Sequence, residues 1–74
     1  MIMDFNAMKP YQQRVVEEKT ELDIKLRALR LFIGGQTFEE LPEDERARLN
    51  AQEHYMDQYS QVLGERIEAF EWQP

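Results

Sequence analysis

Residues 10–35 read PYQQRVVEEKTELDIKLRALRLFIGG, and the apolar positions of that run recur along one side of a helix. Val15, Leu22, Leu26, Leu29 and Ile33 are spaced seven, four, three and four residues apart, with Lys19 the one polar interruption. Such a stripe fits a helical period and not the strict alternation of a strand. Val16 and Phe32 widen it on either side. Pro10 suits a first helical position, because a first turn leaves the N–H that proline lacks unbonded anyway. Gly34-Gly35 predicts the stop, with glycine in the left-handed conformation. The spacing therefore predicts a helix over residues 10–33, about 36 Å long.

Beyond the stop, Thr37-Phe38-Glu39-Glu40 matches a capping box, with Thr37 as cap and Glu40 reaching back. Leu41-Pro42 interrupts that turn, and Pro42 again suits a first helical position. Glu43, Asp44 and Glu45 follow it, at the end of the helix dipole that favours acids. A second stripe runs through Leu49, Gln52, Met56, Tyr59, Leu63, Ile67 and Phe70, which predicts a helix over about residues 42–70. Gly64 within it costs up to about 1 kcal/mol relative to alanine, and it marks a place where another backbone or a ligand can come close. Two helices on a short connection lie antiparallel. The expected fold is all-α: a helical hairpin over residues 10–74, after a segment 1–9 that is a candidate short helix.

The chain has 74 residues, nine Lys and Arg, fifteen Asp and Glu, one His and no Cys. It is one small domain, and a core this small is marginal without a staple. Neither a disulfide nor a thiolate metal site is available. Ile2, Phe5, Met8, Tyr55 and Trp72 are large apolar groups without a place in two facing stripes. Burial against another copy is worth roughly 1.5–3 kcal/mol for each. An obligate homo-oligomer is expected. No apolar run is long enough for a membrane span, and Met1–Met8 lacks the features of a signal peptide, so a cytosolic location and no membrane partner are expected.

The net charge is −6, which opposes binding to polymeric nucleic acid through a broad basic face. The charge is uneven. Residues 9–33 carry Lys9, Arg14, Lys19, Lys25, Arg27 and Arg30 against Glu17, Glu18, Glu21 and Asp23, so the first helix is mildly basic. Residues 34–74 hold ten acids against Arg46, Arg48 and Arg66.

Catalysis has no support. Glu53, His54 and Asp57 are neighbours on one helix, but the Glu-x-x-His pattern of a di-metal bundle fails because Ala51 stands three residues before His54. A solvated polar face is the simpler reading. No phosphate-binding glycine loop and no nucleophile paired with a base is present. No catalytic residue, metal or cofactor is expected. The methionines read as core filler, and the acidic run Glu39–Glu45 as a helix start more than a mimic of nucleic acid.

The informative set lies beside the first stripe. Tyr11 and Lys25 differ by about 40° in direction, and Arg14 lies about 20° from Lys25. A ring that stacks on bases and cations that neutralise phosphate share one strip. Within one chain Tyr11 and Lys25 are about 21 Å apart along the axis. If two copies cross antiparallel near Glu18, Tyr11 of one faces Lys25 of the other. That makes a two-fold site, although the crossing must be offset or angled to separate the two Glu18 carboxylates.

Three stretches carry a resemblance: Pro10-Tyr11-Gln12-Gln13-Arg14-Val15-Val16-Glu17-Glu18-Lys19-Thr20-Glu21-Leu22; then Phe32-Ile33, Phe38 and Leu41-Pro42-Glu43-Asp44-Glu45; and finally Leu63-Gly64-Glu65-Arg66-Ile67. Together, over about residues 10–70, they resemble the anti-CBASS cyclic-nucleotide sponges, small phage proteins related to others in tailed and crAss-like phages. The resemblance implies a helical homohexamer that sequesters cyclic oligonucleotide messengers such as cGAMP without cleaving them. It implies immune evasion in the cytoplasm of an infected bacterium. It gives Tyr11 the role of stacking on a cyclic dinucleotide and Lys25 that of contacting its phosphate, with Arg27 and Arg30 as alternatives if the register slips. Arg66 matches the arginine of a separate cyclic trinucleotide pocket. Arg14 is added from the shared strip alone. Two other readings stay open: an acidic helical protein that blocks a host complex, and a structural coiled-coil adaptor.

Overall fold

The computed structural model describes residues 5–70. A 3-10 turn over Phe5–Ala7 precedes three helices: α1 (Pro10–Ile33), the single turn α2 (Gln36–Glu39) and α3 (Glu43–Phe70). The two long helices form the expected hairpin. Its register is antiparallel: Tyr11 meets Phe70, Lys19 meets Ser60 and Arg30 meets Glu53. Ile2 and Trp72, two of the apolar residues without a place in the stripes, lie outside the described residues.

The start of α1 is fixed by side chains. Gln12 Oε1 accepts the Lys9 N–H at 2.9 Å, with Pro10 at the opening of the helix. The Gln13 side-chain amide donates to the carbonyls of Phe5 and Met8 at 3.1 and 3.3 Å. These bonds tie the 3-10 turn to α1 and bury Met8.

The stop differs from expectation in its mechanism. Neither Gly34 nor Gly35 has a positive φ. Gly34 has φ −80° and ψ 0°, and its N–H bonds the Arg30 carbonyl at 3.1 Å. Gly35 is extended and becomes the N-cap of α2, so Thr37 lies inside that turn and caps nothing. What holds the connection is apolar. Phe38 is buried, with its ring edge-on to Phe32 at 6.4 Å. Pro42 stands one residue before α3, and its carbonyl accepts the Arg46 N–H at 3.0 Å.

The core is short. Val15, Leu63 and Phe70 form its centre, with Leu22 and Ile67 packed against them. Leu63, 1% exposed, is the most buried of these. Leu26 is buried further along α1. The α3 stripe is rotated from the expected one. Gln52 is exposed and Tyr59 is 44% exposed, while Ser60, only 8% exposed, faces α1 instead. Lys19 explains the rotation. Its ammonium donates to Asp23 Oδ2 at 2.8 Å and to Ser60 Oγ at 2.9 Å, and the serine hydroxyl donates to the other oxygen of Asp23. A lysine on the inner stripe needs polar company, and a serine at position 60 supplies it where a tyrosine ring would not fit the role.

Gly64 has its reason here too. A Cβ at that position would lie 3.4 Å from Lys19 Cε. The close approach is made by a lysine stem of the same chain and not by a second backbone or a ligand. Among the described residues no helix is long and apolar enough to cross a membrane.

Candidate functional site

Each sequence-predicted site residue immediately precedes one that faces the partner helix. Tyr11 precedes Gln12, which is 3% exposed; Arg14 precedes buried Val15; Lys25 precedes buried Leu26; Arg66 precedes Ile67, which packs on the core. One residue is about 100° of helical turn. A step back from an inward residue therefore leads to one flank of its helix. In an antiparallel pair, steps of the same sign lead to the same face of the hairpin. Tyr11 and Phe70 already meet there, with ring centroids 5.9 Å apart and planes at 83°. Arg14, Lys25 and Arg66 are exposed on that face. None of the three makes an ion pair among the described residues.

The structure thus brings Tyr11, Arg14 and Arg66 to one end of one face, since Arg66 lies a turn before Phe70. It leaves Lys25 about 21 Å from Tyr11 along α1. No single copy joins them.

On the opposite face two of the cations are tied to carboxylates. Arg30 donates to Glu53 Oε2 and Asp57 Oδ1, both at 2.8 Å. Lys19 and Asp23 form the second cluster, with Ser60 between them. The hydrogen bond from Lys19, then that from Ser60, holds the Asp23 carboxyl below its ordinary value. Glu53 and Asp57 likewise raise the Arg30 guanidinium. A cleft of about 320 Å³ opens between these groups, over Leu26, with Arg27 on its rim. Arg27 follows Leu26 where Lys25 precedes it, so the two cations lie on opposite flanks.

Glu53, His54 and Asp57 do not act as a unit. The two carboxylates face Arg30, while the imidazole stands edge-on to Tyr55 at 5.4 Å. Among the described residues no group of three or more His, Asp or Glu is placed to hold a metal ion.

Residues 9–69 match the family model described as Sequestin. The chain belongs to the Sequestin family. All four candidate residues of this Sequestin chain fall inside the matched span, and the name denotes sequestration, the binding of a partner and not its conversion. No curated protein and no solved structure matches the chain.

Sequence reasoning missed Tyr59. It placed the ring in the core stripe, whereas Tyr59 precedes inward-facing Ser60 and so joins the Tyr11 face. The signal was Lys19: a cation on the inner stripe of α1 calls for a polar residue opposite, and Ser60 is the one within a helical step of the stripe.

Proposed function

We propose that this Sequestin-family chain sequesters cyclic oligonucleotide messengers, holding cyclic dinucleotides between copies of itself without cleaving them. The observation that supports this most is the shared face. A tyrosine and three exposed cations that make no ion pair among the described residues lie on one side of the hairpin, while on the other Lys19 and Arg30 are tied to carboxylates and Arg27 is not. A ligand with two phosphates and two bases needs that combination. In this reading Tyr11 stacks on a base, Lys25 of a second copy takes a phosphate, and Arg14 adds charge. Arg66 belongs to a cyclic trinucleotide pocket. Arg30 is occupied by Glu53 and Asp57, and Arg27 lies on the far flank, which favours Lys25 as the phosphate contact.

The separation of Tyr11 and Lys25 requires an oligomer, a hexamer by the resemblance. Ile24, Leu31, Tyr55 and Val62 are large apolar side chains left mostly exposed by the single hairpin, and contact between copies is what they suit. The setting is the cytoplasm of an infected bacterium, where withholding the messenger silences CBASS signalling. Calorimetry with cyclic dinucleotides tests the reading. The expected result is sub-micromolar binding and recovery of the intact nucleotide. No heat with any cyclic di- or trinucleotide points instead to an acidic blocker of a host complex or a structural adaptor.

A further inference from the structure

We infer that Tyr59 is a stacking residue of the cyclic dinucleotide site, placed beside Lys25 in the same chain and selecting purine bases. This rests on the sequestering role proposed above. Two contacts set the level: Ser60 bonds Asp23, and Arg30 reaches Asp57. Between them, Lys25 on α1 and Tyr59 on α3 stand within about one helical turn of each other. The face follows from their neighbours. Lys25 precedes buried Leu26 and Tyr59 precedes buried Ser60, so both turn to the side where Tyr11 meets Phe70.

Two aromatics of α3 lie near that level: Tyr55, which stands edge-on to His54, and Tyr59, which is nearer the level of Lys25. Tyr59 is 44% exposed, and its ring makes no ring contact or hydrogen bond among the described residues. Tyr11, by contrast, already gives one edge to Phe70. A ring next to a phosphate-binding cation can hold the base attached to that phosphate, while Tyr11 arrives from the second copy. Two rings per base pocket reward the larger π-surface of a purine, since stacking is where sequence-tolerant sites acquire their modest base preference.

The test uses the full chain and calorimetry with cyclic di-AMP and cyclic di-UMP, on wild type, Tyr59→Leu, Tyr59→Phe and Tyr11→Ala. Tyr59→Leu is expected to weaken cyclic di-AMP by about five- to 150-fold, and to narrow its advantage over cyclic di-UMP. Tyr59→Phe, which keeps the ring, is expected to bind as wild type. Sedimentation should give one mass for all four proteins. Unchanged cyclic di-AMP binding in Tyr59→Leu overturns the inference and leaves the sequestering role standing. Dissociation of the Tyr59→Leu oligomer overturns it too, because the ring would then be an interface residue. Wild type that binds neither ligand overturns the inference, and the sequestering role falls with it only if no other cyclic di- or trinucleotide gives heat.

Discussion

Gly64 and Lys19 share one space in the helix interface: a Cβ on the glycine would lie 3.4 Å from the lysine Cε. That notch lets the Lys19 stem run along α3 to Ser60 and Asp23. The cost of the notch is the helix propensity of glycine, about 1 kcal/mol against alanine. At 3.4 Å, the edge of ordinary contact, the flexible end of a lysine can yield a single methyl group. Gly64→Ala is therefore expected to stabilise the hairpin by up to about 1 kcal/mol, a rise of roughly 4–8 °C in a domain of this size. Gly64→Leu should do the reverse by pushing Lys19 off Ser60. Thermal melts at one fixed protein concentration check both, since self-association makes Tm depend on concentration.

The Lys19–Asp23–Ser60 cluster gives stability a particular pH dependence. Its hydrogen bonds lower the Asp23 carboxyl below 3.8 in the folded chain. A depressed acid stabilises fully above its unfolded value, and that contribution disappears as the pH falls through the folded value. Asp23→Asn should therefore be less stable than wild type at pH 7, with the gap closing as the pH drops below 3.8. Urea unfolding of the pair from pH 7 to pH 2.5 measures it, and a gap that widens in acid contradicts the assignment.

How much of this could be read from the chain alone varies with the kind of force involved. The Val15–Ile33 stripe and Pro10 revealed α1 because helical period and proline geometry are local. The rotation of α3 was hidden. An apolar stripe through Tyr59 has the same period as one through Ser60, and only Lys19 on the facing helix decides between them. The glycines at 34 and 35 marked the stop, yet not its conformation, which follows from how Phe38 docks on Phe32. For the candidate site, Tyr11, Arg14 and Lys25 share a strip that the helical wheel shows at once. The place of Arg66 on the same face depends on the pairing of the two helices, which no single-helix pattern contains.

Leu63 carries much of what the small core provides. It is 1% exposed and clusters with Val15 and Phe70. Leu63→Ala is expected to cost about 2–5 kcal/mol, a large share of the stability of a domain this short. Chemical denaturation followed by circular dichroism should show the midpoint shifted strongly downward. Loss of helicity at low protein concentration, recovered at high concentration, would show that assembly compensates for the core.

Binding should divide by residue. Stacking contributes about 1–3 kcal/mol per base, and a two-fold site uses Tyr11 twice. Tyr11→Ala is therefore expected to weaken cyclic dinucleotides at least thirtyfold, on the order of 2 kcal/mol. Lys25→Ala should remove a phosphate contact and flatten the salt dependence of the same ligand, since one fewer charge pair is left for salt to screen. Arg66→Ala should spare dinucleotides and weaken cyclic trinucleotides. Arg27→Ala, on the opposite flank, is the control expected to change neither. Titration calorimetry at two salt concentrations resolves the set. Equal losses of both ligands in Arg66→Ala would mean that one pocket serves both. Retained dinucleotide binding in Lys25→Ala, together with its loss in Arg27→Ala, would move the phosphate contact to the other flank of α1.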